Sequence, residues 1–270
     1  TREIGRLFWK TVPNSLENIE IAYVRVQGRA RLIVSRFPKP SFYKVYEKEL
    51  RLSLLSFETH PVILKIRKLV ENDLKGSMGH GRKHAAKVTV DAGALMLIEG
   101  KRAGYDEIFL KRRLLLAQCA GMLHDARRKE EDHAVKGADH AREILKRFAF
   151  LPREVEDVAC AIRNHEAFKA KQAVNTPEGG LLSDCLYDAD KFRWGPDNFS
   201  DTVWDMVRYY RTPLAEFVKL YPRGMQMIEK IKGTFRTRTG KIYGPEIIEQ
   251  GLDIGKEIFK MINMEFSVYL

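Results

Sequence analysis

The chain has 270 residues, 44% of them hydrophobic and 31% charged, with a net charge of +11. That balance excludes collagen-like and wholly disordered chains, and no apolar run approaches the ~18 residues that a membrane span requires. Three widely spaced cysteines, Cys119, Cys160 and Cys185, argue against a disulfide framework or a cysteine zinc site and make a reducing cytoplasm the expected location.

The positive charge is concentrated at the start. Residues 1–70 carry 14 Lys+Arg against 6 Asp+Glu, a net of +8. Such a segment can attract phosphates, nucleic acid or anionic lipid. Its aromatics (Phe8, Trp9, Phe37, Phe42, Tyr43, Tyr46) favour a folded extension with a solvated basic face. Within it, Glu17–Phe37 is open to two readings. Ile19, Ile21 and Tyr23 alternate like a strand, with Gly28 as a hairpin turn. Ile19, Tyr23, Val26, Ala30 and Ile33 fit a helix equally well.

Beyond Pro38 and Pro40 the helical period dominates. Tyr43, Val45, Tyr46, Leu50 and Leu54 would form one apolar face. Pro61 suits a first helical turn, followed by Ile63, Ile66 and Val70. Lys75-Gly-Ser-Met-Gly-His-Gly connects to a helix starting near Arg82 and carrying Ala85, Val88 and Ala92. Further helices are expected at Tyr105–Leu123, His133–Phe148, Pro152–His165 and Thr202–Leu220, and near Pro245–Asn263. Leu220-Tyr-Pro-Arg-Gly reads as a break, and Arg236-Thr-Arg-Thr-Gly-Lys-Ile-Tyr-Gly as a surface turn. Strand signals after Pro40 are scarce. The expected class is all-α, with a small β element admitted only in the amino-terminal extension.

Six of the seven histidines lie between positions 80 and 165. Imidazoles with carboxylates make borderline metal sites. His124-Asp125 ends the apolar run Leu114-Leu-Leu-Ala-Gln-Cys-Ala-Gly-Met-Leu, where an ionisable pair is costly unless a cation or hydrogen bonds compensate it. Asp188-Ala-Asp190-Lys191 follows another apolar helical stretch. His84 opens a third helix, and His165 closes a fourth in Ala161-Ile-Arg-Asn-His. Helical bundles build metal sites from such inward ligands.

His84, His124-Asp125 and Asp190, in that order, resemble the H…HD…D signature of the HD-domain superfamily of metal-dependent phosphohydrolases. The neighbouring words, His84-Ala-Ala-Lys-Val, Met122-Leu-His-Asp and Asp188-Ala-Asp-Lys-Phe, resemble it as well, over roughly residues 75–195. Asp132-His133-Ala-Val-Lys-Gly-Ala and Ala161-Ile-Arg-Asn-His165 are similar to elements of bacterial members that carry two metals. The resemblance implies an HD domain over 71–200. On it would pack a basic amino-terminal extension (1–70) and a carboxy-terminal helical extension (201–270).

The resemblance also implies a ligand set. His84, His124, Asp125 and Asp190 would hold one divalent ion, and Asp125, His133 and His165 a second. Iron, manganese, zinc, nickel and magnesium all remain open. Two departures narrow the substrate. Members that hydrolyse the (p)ppGpp alarmone carry Glu-Asp at the third and fourth residues after the doublet, where this chain has Arg128 and Lys129. Members that cut cyclic di-GMP carry Gly-Tyr-Pro after a His pair, whereas His165 is followed here by Glu-Ala-Phe-Lys.

The implied activity is hydrolysis of a phosphomonoester or phosphodiester, with a nucleotide as the expected substrate. Asp125 would orient the nucleophile, and Arg128 and Lys191 would neutralise phosphate charge. Two other readings stay open: a non-catalytic ligand- or nucleic-acid-binding module, and an HD-fold di-iron oxygenase. Among the remaining candidates, His60 reads as structural and His80 as facing substrate or a solvated loop. His140 is a surface or supporting residue, Asp188 a cap or supporting acceptor, and Arg127 and Lys129 belong to the same basic run as Arg128.

Overall fold

The computed structural model describes residues 16–75 and 81–270. Among them are twelve α-helices and no strand, so the chain is all-α. The β alternative for Glu17–Phe37 is overturned. Helix α1 (Leu16–Val34) buries Tyr23, Val26, Ala30 and Ile33, a 3-4-3 spacing that one helix face satisfies and a strand cannot. Phe8, Trp9 and His80 lie outside the described residues.

Helices α2 (Ser41–Val45), α3 (Glu47–Thr59) and α4 (Pro61–Leu69) follow. The expected apolar face of this stretch is corrected: Val45 and Leu54 are exposed, while Phe42, Ser53 and Phe57 are buried. Ser53 faces inward because it is satisfied there. Its hydroxyl donates to Val90 O at 2.7 Å and its carbonyl accepts from Gln118 Nε2 at 2.7 Å. His60 is structural, as expected. Its imidazole caps α4 by accepting from Val62 N, and Pro61 takes the first position, where no amide hydrogen is needed.

Two antiparallel helices, α5 (Arg82–Arg102) and α6 (Glu107–Leu123), form the centre. Both are buried around most of their circumference, which is why neither reads as amphipathic. Their axes approach closely at Gly121, where an added Cβ would lie 2.6 Å from Thr89 Cα. Around this pair pack α7 (His133–Leu145), α8 (Pro152–Arg163) and α9 (Pro177–Phe192).

The expected helix over Thr202–Leu220 is broken. A π turn (Asn198–Thr202) leads into α10 (Val203–Tyr209), and α11 (Leu214–Ile231) begins only after Pro213. Arg211 sits at φ 52° and Pro213 disfavours helix in the residue before it, so the chain turns. The break expected at Leu220–Gly224 is absent, since Pro222 lies inside α11. Burial of Phe217, Tyr221, Ile228 and Ile231 outweighs the lost backbone hydrogen bond. The last helix, α12 (Arg238–Glu265), starts seven residues before the expected Pro245. Thr237 caps it by accepting from Gly240 N at 2.8 Å.

Buried side chains from Tyr23 to Phe266 form one continuous core. Rings of Tyr23, Trp204 and Phe217 join α1, α10 and α11. Arg29 of α1 also makes a two-point ion pair with Glu265 at the end of α12, at 2.6 and 2.7 Å. No described helix is long and apolar enough to cross a membrane.

Candidate metal centre

Five helix ends deliver the six expected ligand residues to one buried place. His84 lies in the first turn of α5, and His124-Asp125 continues from the end of α6. His133 opens α7, His165 follows α8, and Asp190 lies in the last turn of α9. A left-handed Asp132 (φ 52°) precedes His133 and bends the chain into α7. Aspartate tolerates that conformation better than most side chains. All six residues are at most 6% exposed.

They form two clusters able to hold a metal ion, His84/His124/Asp190 and Asp125/His133/His165. In the first, His84 Nε2 is 3.3 Å from His124 Nε2 and 3.2 Å from Asp190 Oδ1. Asp125 joins the two. Its Oδ2 is 3.2 Å from His124 Nε2 and 3.7 Å from His84 Nε2. Its Oδ1 is 3.6 Å from His165 Nε2 and 3.8 Å from His133 Nε2.

The donor set fits a metal ion. Ligands bonded at ~2.0–2.2 Å to one ion stand ~3–3.5 Å from each other, close to the separations found. The tautomers agree. His124 Nδ1 donates to Gly121 O at 2.8 Å and His165 Nδ1 to Ile162 O at 2.5 Å, which leaves Nε2 of each neutral ring with its lone pair facing the cluster. His165 Nε2 is buried and has no hydrogen-bond partner, a cost that a cation would remove.

The electrostatics are mixed. Burial lowers the pKa of His84, which favours the neutral, ligating form. Burial also acts against charge on His124, but the Asp125 carboxylate prevails and raises its pKa. Asp190 is held well below the usual carboxylate range. Burial opposes this, and the Lys191 ammonium with His84 and His124 overcomes it. Lys191 is itself only 4% exposed and donates to Asp190 Oδ2, so its ammonium is already engaged.

The basic run after the doublet diverges. Arg127 turns to His140 (2.8 Å) and Asp73, and Lys129 donates to Lys75 O. Only Arg128 turns inward, with Nη1 2.9 Å from His133 Nε2 and 3.6 Å from Asp125 Oδ1. His140 supports this turn by bridging Arg127 to Asp73.

Asp188 is an acceptor, not a ligand. It takes hydrogen bonds from Arg236 N, Thr237 N and Thr237 Oγ1 at 2.7–2.9 Å. Residues 236–237 are therefore a buried attachment point, which corrects the expectation of a surface turn. Only glycine fits at 240, where a Cβ would stand 2.0 Å from Asp188 Oδ2. Arg236 in turn lies over the Tyr187 ring, 3.5 Å from its centroid, and donates to Asn164 O beside His165.

A second ionic group flanks the centre and was not singled out in the sequence. Arg193 donates to Asp91, Tyr43 and Asp197, and Asp197 also pairs with Lys87 at 2.7 Å. An aspartate in the middle of the apolar α5 stretch was the available signal. Arg193 and Asp197 share with His84 the wall of a cleft of about 810 Å³. Gln27 and Arg31 of α1 line its other side, and Lys83, Lys87 and Arg208 are further cations along it. Family models, curated proteins and solved structures were all searched, and none matches the chain.

Proposed function

We propose that the chain is a metal-dependent phosphohydrolase of the HD-domain superfamily, acting on a phosphomonoester or phosphodiester, with a nucleotide as the favoured substrate. One observation supports the reading: the six residues that the resemblance names lie together and buried, with Asp125 Oδ2 3.2 Å from His124 Nε2 and Oδ1 3.6 Å from His165 Nε2. His84, His124, Asp125 and Asp190 would hold one divalent ion, and Asp125, His133 and His165 are the candidate donors for a second. Such an ion supplies a Lewis acid that polarises the phosphoryl oxygen and acidifies a water molecule.

The protein's own groups do the rest. The cleft beside His84 has the volume of an ordinary small-molecule site. Seven Lys and Arg against three Asp line it, a cationic excess that would favour an anionic ligand there even with Lys87 and Arg31 paired to Asp197 and Asp201. Lys191 keeps Asp190 ionised and oriented, which favours ligation over protonation. Arg128, now 2.9 Å from His133 at the edge of the second cluster, would donate to a phosphoryl oxygen bound beside that cluster. The surrounding apolar core limits solvent around these groups, which strengthens each electrostatic contact.

The test combines elemental analysis of the purified protein with a nucleotide and phosphodiester panel, with and without chelator. Asp125→Ala should lose bound metal and hydrolysis together. Turnover at the wild-type rate in that variant would remove the reading. Oxygen consumption with an iron redox spectrum would replace it with the oxidative one.

A further inference from the structure

We infer that Arg128 is a built-in cation of the second cluster: its guanidinium holds the place of a second metal ion, so the protein at rest takes one ion tightly. The inference rests on the metal-site reading above but not on the identity of the reaction.

Arginine has only donors, so in the 2.9 Å contact Arg128 Nη1 donates and His133 Nε2 accepts. The lone pair thus engaged is the one His133 would give to an ion. The same Nη1 lies 3.6 Å from Asp125 Oδ1, the oxygen shared by His133 and His165 at 3.8 and 3.6 Å. A guanidinium here and an ion bound by these three donors would compete for the same atoms. They would also repel each other at a few ångströms in a region of low dielectric.

The competition is confined to this side. The contacts of Arg128 are with His133 and with Oδ1 of Asp125, while His84 and His124 face Oδ2. The first ion's place is therefore compatible with Arg128 where it stands. Nor is Arg128 locked in. Its side chain is 19% exposed, and it belongs to the turn between α6 and α7, so the guanidinium can swing to solvent. Uptake of a second ion requires that swing. Arg128 thereby sets the one-ion and two-ion states of the centre, a choice the ligand residues alone leave open.

The experiment is titration of metal-free protein with Co²⁺, followed by calorimetry and by cobalt absorption. Wild type, Arg128→Ala, Arg128→Lys and the double variant Arg128→Ala/His165→Ala are compared. Wild type should bind one Co²⁺ tightly and a second far more weakly. Arg128→Ala should tighten the second event by at least about tenfold and leave the first within about threefold, because only one cluster loses a competing charge. Arg128→Lys, which keeps the charge, should tighten it less. The double variant should return to one ion, which places the second on His165. A second event no tighter in Arg128→Ala than in wild type overturns the inference while the first ion's binding leaves the metal reading standing. Two equally tight ions in wild type overturn it as well. Failure of every form to bind Co²⁺ overturns both.

Discussion

Two ionic groups lie side by side in this protein, and they are built on opposite principles. Around Arg193, every charge meets its complement: the guanidinium reaches Asp91, Asp197 and Tyr43, and Lys87 closes the set. Around Asp125, four imidazoles and two carboxylates gather with cations only from Arg128 and Lys191, and His165 Nε2 has no hydrogen-bond partner. The first arrangement balances its charges within the polypeptide, two cations against two carboxylates, although Arg193 Nε has no hydrogen-bond partner. The second keeps acceptor atoms beyond those that Arg128 and Lys191 engage, which makes it the candidate for a cation from outside the polypeptide. An ionic group whose charges balance reads as scaffold, and one with acceptor atoms to spare reads as a candidate site.

The comparison is broken most forcefully at Arg193. Arg193→Met should destabilise the fold by ~3–5 kcal/mol, because Asp91 would keep a buried charge without its partner. Denaturant unfolding measures this, and adding Asp91→Leu should recover part of the loss. A cost within ~0.5 kcal/mol, the usual size for an unimportant surface change, would mean that the group is not scaffold.

Asp188, which ties 236–237 to α9, provides a pH test. Burial pushes its pKa from 3.8 up to about 6 against the pull of its three donors. Between those two values the folded protein binds a proton that the unfolded chain has released. Stability from this group is therefore present at low pH and lost as pH rises through about 6. The stability difference between wild type and Asp188→Asn should move in favour of wild type as pH falls from 7 to 4, by an amount on the order of 2–3 kcal/mol. Thermal unfolding of both proteins across that range measures the slope. A difference independent of pH would show that the carboxyl titrates normally.

Gly121 affects both groups, since it sets the α5–α6 spacing and its carbonyl orients His124. Gly121→Ala should cost ~1–3 kcal/mol through overpacking against Thr89 and should weaken metal binding. The smallest effect is expected at His165 in metal-free protein. His165→Ala should lie within ~1 kcal/mol of wild type, because the lost packing is offset by removal of an unsatisfied buried nitrogen. With metal present the two should diverge, since an ion that binds only the folded state stabilises it. Equal melting temperatures with and without metal in wild type would remove the distinction.

The site was more legible than its supports. His84, His124-Asp125 and Asp190 stood out as metal-competent residues beside apolar helical runs and by their resemblance to the H…HD…D signature, and His133 and His165 by the resemblance alone. The helical frame was legible where one face is buried, as in α4, whereas the segment of α1 fitted a strand and a helix equally well until its burial was known. It failed where tertiary packing overrides a local signal. Pro222 and Pro245 lie within helices whose apolar faces are held by the core. Ser53, polar and inward, displaced the expected face of α3 because its partners, Val90 and Gln118, are 37 and 65 residues away. Arg193 carries no signal in its neighbouring residues, and Arg236 belonged to an expected surface turn. Only the fold brings Asp91 and Tyr187 to them.

The contact of α1 with the π turn and with α12 implies an order of assembly. Arg29 and Glu265 are 236 residues apart, and Gln27 reaches Ser200 across 173. Contacts so distant in sequence form only after the intervening chain has been drawn in, because closing the loop costs entropy before any contact offsets it. The helices that deliver the ligands lie between these ends and meet through shorter loops. In refolding, amide protons of α5, α6 and α9 are therefore expected to become protected before those of α1. The ligand donors would then be gathered while the cleft still lacks its far wall, giving an ion an open route to a centre that the finished fold encloses.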